Sequence, residues 1–185
     1  MIKIIKMDKI KPADIIKRIK SGDIFIYPTD TIYGLGCNAL NVAAVKKIRQ
    51  IKQRTDKPFS IIAPSKQWIL QNFKVKKVYI DRLPGPFTYI LKPKKKSLFS
   101  KEVSRFETIG VRIPDHPFTK LVQKAKVPFI TTSVNISGKE PAVDIERISP
   151  LITEQVDVII DNGVLDNKPS TVLDLTGDIP KILRS

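Results

Sequence analysis

The sequence predicts one α/β domain built on a twisted, mixed sheet with flanking helices. Two observations lead there. Short runs of β-branched and aromatic residues recur along the chain, with only a few segments of helical period between them. No repeat, linker or internal boundary divides the 185 residues, a length that suits a single domain, 1–185, with a real core.

Taken in order, residues 12–21 read as a helix. Ile15, Ile16 and Ile19 stand at near-helical spacing, and Ser21-Gly22 supplies the stop. The run 24–27 reads as a buried strand that Pro28 ends, because proline has no N–H for the ladder. The polar loop Thr29-Asp30-Thr31 follows, with Gly34 and Gly36 behind it as points of sharp bending or close approach. Residues 41–53 read as a second helix, capped by Asn41 and carrying Val42, Val45, Ile48 and Ile51 on one face. A strand is expected at 59–63 and a helix at 66–72. Lys74–Lys77 reads as a basic bend before Val78-Tyr79-Ile80, and Leu83-Pro84-Gly85-Pro86 as a turn feeding a strand at 87–91. The lysines at 92 and 94–96 read as a solvated loop. A strand at 108–113, a helix at 117–125 and a strand at 129–132 come next, then the polar loop 133–140. Residues 149–155 read as helix and 156–160, 171–175 and 181–183 as strands.

Composition narrows the class of function. No apolar run approaches the roughly 18 residues of a membrane span, and the N-terminal segment has charges every few residues instead of a secretory signal's apolar region. One cysteine, Cys37, and one histidine, His116, leave no internal disulfide and almost no route to a zinc site. Together these favour the cytoplasm. The net charge is +15 and uneven: 29 basic and 10 acidic residues precede Pro141, against 4 and 8 from there on. A polyanion, either nucleic acid or nucleotide phosphate, fits the basic part; so does charge that serves only solubility.

Three polar clusters stand out. The Thr29–Thr31 loop suits a small polar ligand or simply caps a turn. Lys52, Arg54 and Lys57, at a helix exit, can converge on a phosphate chain or form a solvated basic end that the helix dipole favours. The segment Thr131-Thr132-Ser133-Val134-Asn135, directly after a strand, can bond phosphate or an adenine edge, or close an Asx turn. Arg112, inside an otherwise apolar strand, must face water or find an anion. No phosphate loop of the Gly-x-x-x-x-Gly-Lys-Ser/Thr type occurs, the Gly-x-Gly lacks Rossmann spacing, and no carboxylate pair lies in the clusters. His116, between Asp115 and Pro117, is a possible base or a structural turn residue. A cationic, hydroxylic site fits anion binding and charge stabilisation more than acid–base work.

At these residues the chain resembles the YrdC-like family of threonylcarbamoyl-AMP synthases, in its short, single-domain form. The resemblance runs in order through YPTDTIYGLGCNA, KQRTDKPF, LPGPFTYIL, TIGVRIPDHPF, PFITTSVNISGKEP, PSTVLDL and ILR. The family's Lys-x-Arg and Ser-x-Asn signature stands as Lys52, Arg54, Ser133 and Asn135. The resemblance implies a twisted mixed sheet with a basic concave face, and a reaction of L-threonine, bicarbonate (or CO2) and ATP with Mg2+. The products would be threonylcarbamoyl-AMP and pyrophosphate, the first destined for tRNA through separate threonylcarbamoyl-transfer proteins. By similarity, Thr31, Arg112, Thr131 and Ser170 would hold threonine. Lys52, Arg54, Lys57, Thr108, Ser133, Asn135, Pro141 and Arg184 would surround ATP, with Lys52 and Arg54 catalytic. Lys52→Ala or Arg54→Ala is then expected to cost more in turnover than in folding. The chain departs at Thr55, where many members have proline, at Lys57, where others have asparagine, and in ending without the longer branch's extra domain. Two competing readings are an RNA-binding module of the same fold, holding tRNA or double-stranded RNA without chemistry, and a paralogue with another acceptor. A ribulose-phosphate enzyme of related fold fits less well, for want of acidic metal ligands in the polar loops.

Overall fold

The computed structural model describes residues 3–165 and 167–185. Its strands are β1 (Lys3–Lys6), β2 (Phe25–Tyr27), β3 (Gly34–Gly36), β4 (Ser60–Ile62), β5 (Phe73–Lys74), β6 (Phe87–Pro93), β7 (Ile109–Arg112), β8 (Phe129–Ser133), β9 (Val158–Asp161), β10 (Thr171–Asp174) and β11 (Lys181–Arg184). Its helices are α1 (Pro12–Ser21), α2 (Val42–Ile51), α3 (Lys66–Asn72), α4 (Lys77–Asp81), α5 (Pro117–Ala125) and α6 (Pro150–Thr153). The strands form one mixed path, β1-β9-β2-β3-β8-β4-β7-β6-β10-β11, with β5 alongside β6. Pairs β1/β9, β2/β9, β4/β7 and β6/β10 are parallel and the other pairs antiparallel. The expected fold class is the one observed.

Alternation along the strands divides the core. Phe25 and Tyr27 of β2, Ile62 of β4, Phe129 of β8, and Val158 and Ile160 of β9 pack with Ile15 and Ile19 of α1 and with Phe118, Leu121 and Val122 of α5. Tyr27 stacks on Phe118 at 4.6 Å, and Phe129 meets both rings edge-on. Such pairs add about 0.5–1.5 kcal/mol each beyond area burial. The alternate residues Ile26, Leu35, Ile61, Val111, Ile130 and Ile159 form a larger core with α2, α3, α4 and α6.

Several local expectations are revised. Val78-Tyr79-Ile80 lies in α4, where Ile80 points to the core. Gly34–Gly36 is a strand, and β1 is an edge strand whose mixed, mostly exposed residues give no burial pattern to read. The second helix ends at Ile51, and Val42 on its expected core face is exposed. The helix expected at 149–155 shortens to α6, and β9 begins two residues later than the expected 156.

Gly36 is fixed by close approach. A Cβ there would lie 1.9 Å from the carbonyl oxygen of Ile130, backbone that cannot rotate away. Gly36→Ala is expected to destabilise the fold by about 3 kcal/mol or more, within the range of severe core overpacking. A denaturant midpoint equal to wild type would contradict this.

Candidate functional site

One strip of the sheet face shared with α1 and α5 is left uncovered by them. The register places Thr131, Ser60, Gly110 and Ile90 in one row across β8, β4, β7 and β6. Gly110 keeps this row flat, since a Cβ would sit 2.2 Å from Ser60 Oγ. Above it opens a cavity of about 260 Å³. Its walls come from the loop after β2 (Thr29, Thr31, Ile32, Tyr33), from Arg54, from the end of β8, and from Pro169, Ser170 and Arg184.

Arg112, at the end of β7, is 7% exposed. Its Nη2 donates to Asp30 Oδ1, and Asp30 Oδ2 accepts the amide of Asp115 at 3.0 Å. The main-chain oxygen of Asp30 accepts from Asn167 Nδ2 at 3.3 Å. Asp30 thus ties the first polar loop to the exit of β7 and to the segment before Ser170. Arg112 Nε is buried with no hydrogen-bond partner among the described residues. Burial pulls the guanidinium below its ordinary range, and Asp30 opposes that. Thr29 Oγ1 donates to the carbonyl of Ile32 at 2.7 Å and meets Thr31 Oγ1 at 2.9 Å, which closes the loop on itself.

On the opposite wall, Thr88 Oγ1 and Ser170 Oγ are 2.8 Å apart. Arg184 Nε and Nη2 donate to the carbonyl of Ser170 at 3.1 and 2.8 Å, and Nη2 also lies 3.3 Å from Ser170 Oγ. The last strand therefore clamps the Ser170 wall.

The Lys-x-Arg pair is split by backbone geometry. Gln53 adopts φ +50°, which turns the chain at the end of α2. Arg54 reaches the cavity, donating to the carbonyls of Lys57 (3.1 Å) and Pro58 and to Thr132 Oγ1 (3.3 Å), with its guanidinium 5.0 Å from the Phe59 ring centre. Lys52 goes inward and is 2% exposed. Its Nζ donates to the carbonyls of Ser133 (2.6 Å) and Asn135 (2.8 Å) and to Asn135 Oδ1 (2.8 Å). All three ammonium hydrogens are thereby used. Lys52 tethers the loop after β8 and does not line the cavity, so its removal is expected to cost folding stability.

Burial, with the charge of Arg54 second, pulls the Lys52 ammonium down to about 7. The unfolded chain keeps that proton to ~10.4, so above about 7 it holds more protons than the folded chain, and stability rises with pH. The melting temperature of wild type is expected to climb from about pH 7 to about pH 9 relative to Lys52→Met. Parallel profiles for the two proteins would contradict this.

Of the residues singled out in the sequence, Thr31, Arg54, Arg112, Thr131, Ser133, Pro141, Ser170 and Arg184 line the cavity. Asn135 stands behind the wall, its Oδ1 also accepting Ser133 Oγ at 2.7 Å. Lys57 is exposed and contributes its carbonyl, and the carbonyl of Thr108 accepts from Ser104 Oγ at 3.0 Å; neither side chain lines the cavity. Ser60, Thr88 and Ile90 in the floor escaped the sequence reading. The only signal is a hydroxyl, at Ser60 and Thr88, on inward positions of two strands, and Ile90 has none. His116 serves as N-cap of α5, its Nδ1 accepting the amide of Phe118.

Comparison with known proteins agrees with this architecture. The Sua5/yciO/yrdC family model, described as "Telomere recombination", matches residues 17–185. A protein of Methanocaldococcus jannaschii named putative threonylcarbamoyl-AMP synthase is 40% identical over 168 residues, covering 88% of this chain and 79% of that one. The crystal structure of P. abyssi Sua5 complexed with L-threonine superposes with a TM-score of 0.87 at 28% identity. It covers all of this chain, which spans 57% of the P. abyssi one. The structure of E. coli YciO gives a TM-score of 0.84 at 29% identity, covering all of this chain and 95% of its own. The chain belongs to the Sua5/YciO/YrdC family.

Proposed function

We propose that this chain is a threonylcarbamoyl-AMP synthase that condenses L-threonine, bicarbonate or CO2, and ATP in the cavity over β8, β4, β7 and β6. The observation that carries the reading is that one cavity is lined by Arg112, Arg54 and Arg184 together with the hydroxyl-bearing Thr31, Thr131 and Ser170. The relatives named above support it, one by its synthase name and one by its bound threonine.

In this reading the threonine carboxylate meets Arg112, with Thr31, Thr131 and Ser170 around it. ATP lies towards Arg54, Ser133, Pro141 and Arg184. Lys52 and Asn135 shape that wall from behind; Lys57 and Thr108 act, if at all, through the loops that carry them. The neutral threonine amine adds to CO2 and gives up a proton to solvent, leaving a carbamate anion. A carbamate oxygen then attacks the α-phosphorus, the bond to the β-phosphate bridge breaks, and pyrophosphate leaves. The attacking group is already an anion, so no strong base is needed at that step. The obstacle is bringing two anions together, and Arg54 and Arg112 offset that repulsion. Positioning supplies several kcal/mol more.

Among the described residues no three His, Cys, Asp or Glu side chains cluster, and Asp30 is engaged with Arg112. The described residues offer no carboxylate cage, and Mg2+ would enter as part of Mg·ATP, the substrate. The basic part of the chain supports tRNA as a partner, and separate transfer proteins would consume the adenylate. No helix of the described residues is long and apolar enough to cross a membrane.

A second reading is a paralogue of the same fold with a different acceptor substrate, since the fold alone, shared with E. coli YciO, does not fix the acceptor. Pyrophosphate release from ATP, with and without bicarbonate and across threonine, serine and other amino acids, separates the two. Threonine dependence supports the synthase, and dependence on another acceptor supports the paralogue. Release from no acceptor, with salt-sensitive RNA binding, would overturn both.

A further inference from the structure

Arg49, one turn before Lys52, contributes nothing to the cavity lining and is not part of the signature motifs. It is 8% exposed, an unusual place for arginine. Its Nη1 is shared by three main-chain carbonyls of the following loop, those of Arg54 (3.4 Å), Thr55 (3.2 Å) and Lys57 (3.3 Å). Its Nε donates to the carbonyl of Glu102 at 2.7 Å, and its guanidinium lies 4.6 Å from the Phe59 ring centre. One buried cation thus gathers the loop that presents Arg54.

The peptide geometry gives this a consequence. In a trans peptide the C=O and N–H point in opposite directions. With the carbonyls of Arg54 and Thr55 drawn onto Arg49, the amides of Thr55 and Asp56 face away from it. Neither amide takes an acceptor among the described residues. Two successive unpartnered amides on this exposed loop, next in the chain to Arg54, make a small anion cradle. The one carboxylate of this loop, Asp56, is occupied by Arg105 Nη1 at 3.3 Å.

We propose that Arg49 is a positioning residue for the nucleotide phosphates: it holds the 54–57 loop so that the Thr55 and Asp56 amides and Arg54 face one phosphate group. The proposal rests on the synthase reading for the identity of the ligand, but not for the loop geometry. Lysine at this position keeps the charge and loses the planar fork that several carbonyls share.

The test uses the full chain with Arg49→Lys and Arg49→Met. Backbone 15N relaxation reads the order of the loop, and steady-state kinetics read the site. For Arg49→Lys the expected result is lowered order parameters at residues 54–57 and an ATP KM raised about 10-fold, with the threonine KM near wild type. Arg49→Met should go further in the same direction; if it fails to fold, the lysine variant decides alone. Unchanged order parameters at 54–57, or a threonine KM that rises as much as the ATP KM, overturns the proposal. A wild-type protein with no threonine-dependent turnover overturns the synthase reading instead, and the order of residues 54–57 still decides the role of Arg49.

Discussion

Arg112→Ala is expected to abolish threonine-dependent turnover and to lower folding stability by about 3–5 kcal/mol. The stability loss follows from burial. Arg112 and Asp30 have side chains 9% and 10% exposed, and removing the cation leaves a desolvated carboxylate with only the Asp115 amide for compensation. Because unfolding alone could silence such a variant, Arg112→Lys separates the effects. It keeps a positive charge opposite Asp30 but loses the fork that can bond Asp30 and a ligand carboxylate together. This variant should stay folded at assay temperature, with kcat/KM for threonine reduced about 100-fold. Thermal melting and kinetics at varied threonine check both statements. A folded Arg112→Lys protein with wild-type threonine KM would remove Arg112 from the threonine site.

Arg54→Ala carries the second large effect. Its guanidinium lines the part of the cavity proposed here for the phosphates, and loss of one such electrostatic stabiliser costs about 10²–10³ in kcat. The folding cost should be smaller than for Arg112, about 1–3 kcal/mol for the bonds to Lys57, Pro58 and Thr132, because the position is only partly buried and leaves no opposite charge stranded. Turnover within about twofold of wild type, in a protein whose melting curve confirms the fold, would contradict the assignment of the phosphate end.

The parts of the fold legible in the sequence were those with strong local signals. Helix α1 was marked by its apolar period and Gly22, α2 by the Asn41 cap, whose Oδ1 accepts the Ala44 amide at 3.1 Å. The parts that were not legible depend on distant partners. Gly34–Gly36 reads as a bend until β2 and β8 on either side supply hydrogen bonds. β1 has no burial pattern of its own and exists because β9 pairs with it.

The site divides the same way. Arg112 could be singled out because a charge in an apolar strand demands a partner. That the partner is Asp30, 82 residues earlier, is a tertiary fact. The spacing of Lys52 and Arg54 suggested convergence on one phosphate chain. The left-handed Gln53 instead sends one residue into the core and the other to the cavity. Ser60 and Thr88 became visible only when the sheet register put them under an uncovered strip of one face.

The most direct test of the central claim, that one cavity joins threonine, bicarbonate and ATP, is to identify the product. The protein is incubated with Mg·ATP, L-threonine and carbon-labelled bicarbonate, and the nucleotide fraction is analysed by mass spectrometry alongside pyrophosphate release. The predicted result is a labelled threonylcarbamoyl-AMP that forms in step with pyrophosphate and disappears when threonine or bicarbonate is omitted. Pyrophosphate release that ignores threonine, or a labelled adenylate of a different amino acid, would contradict it.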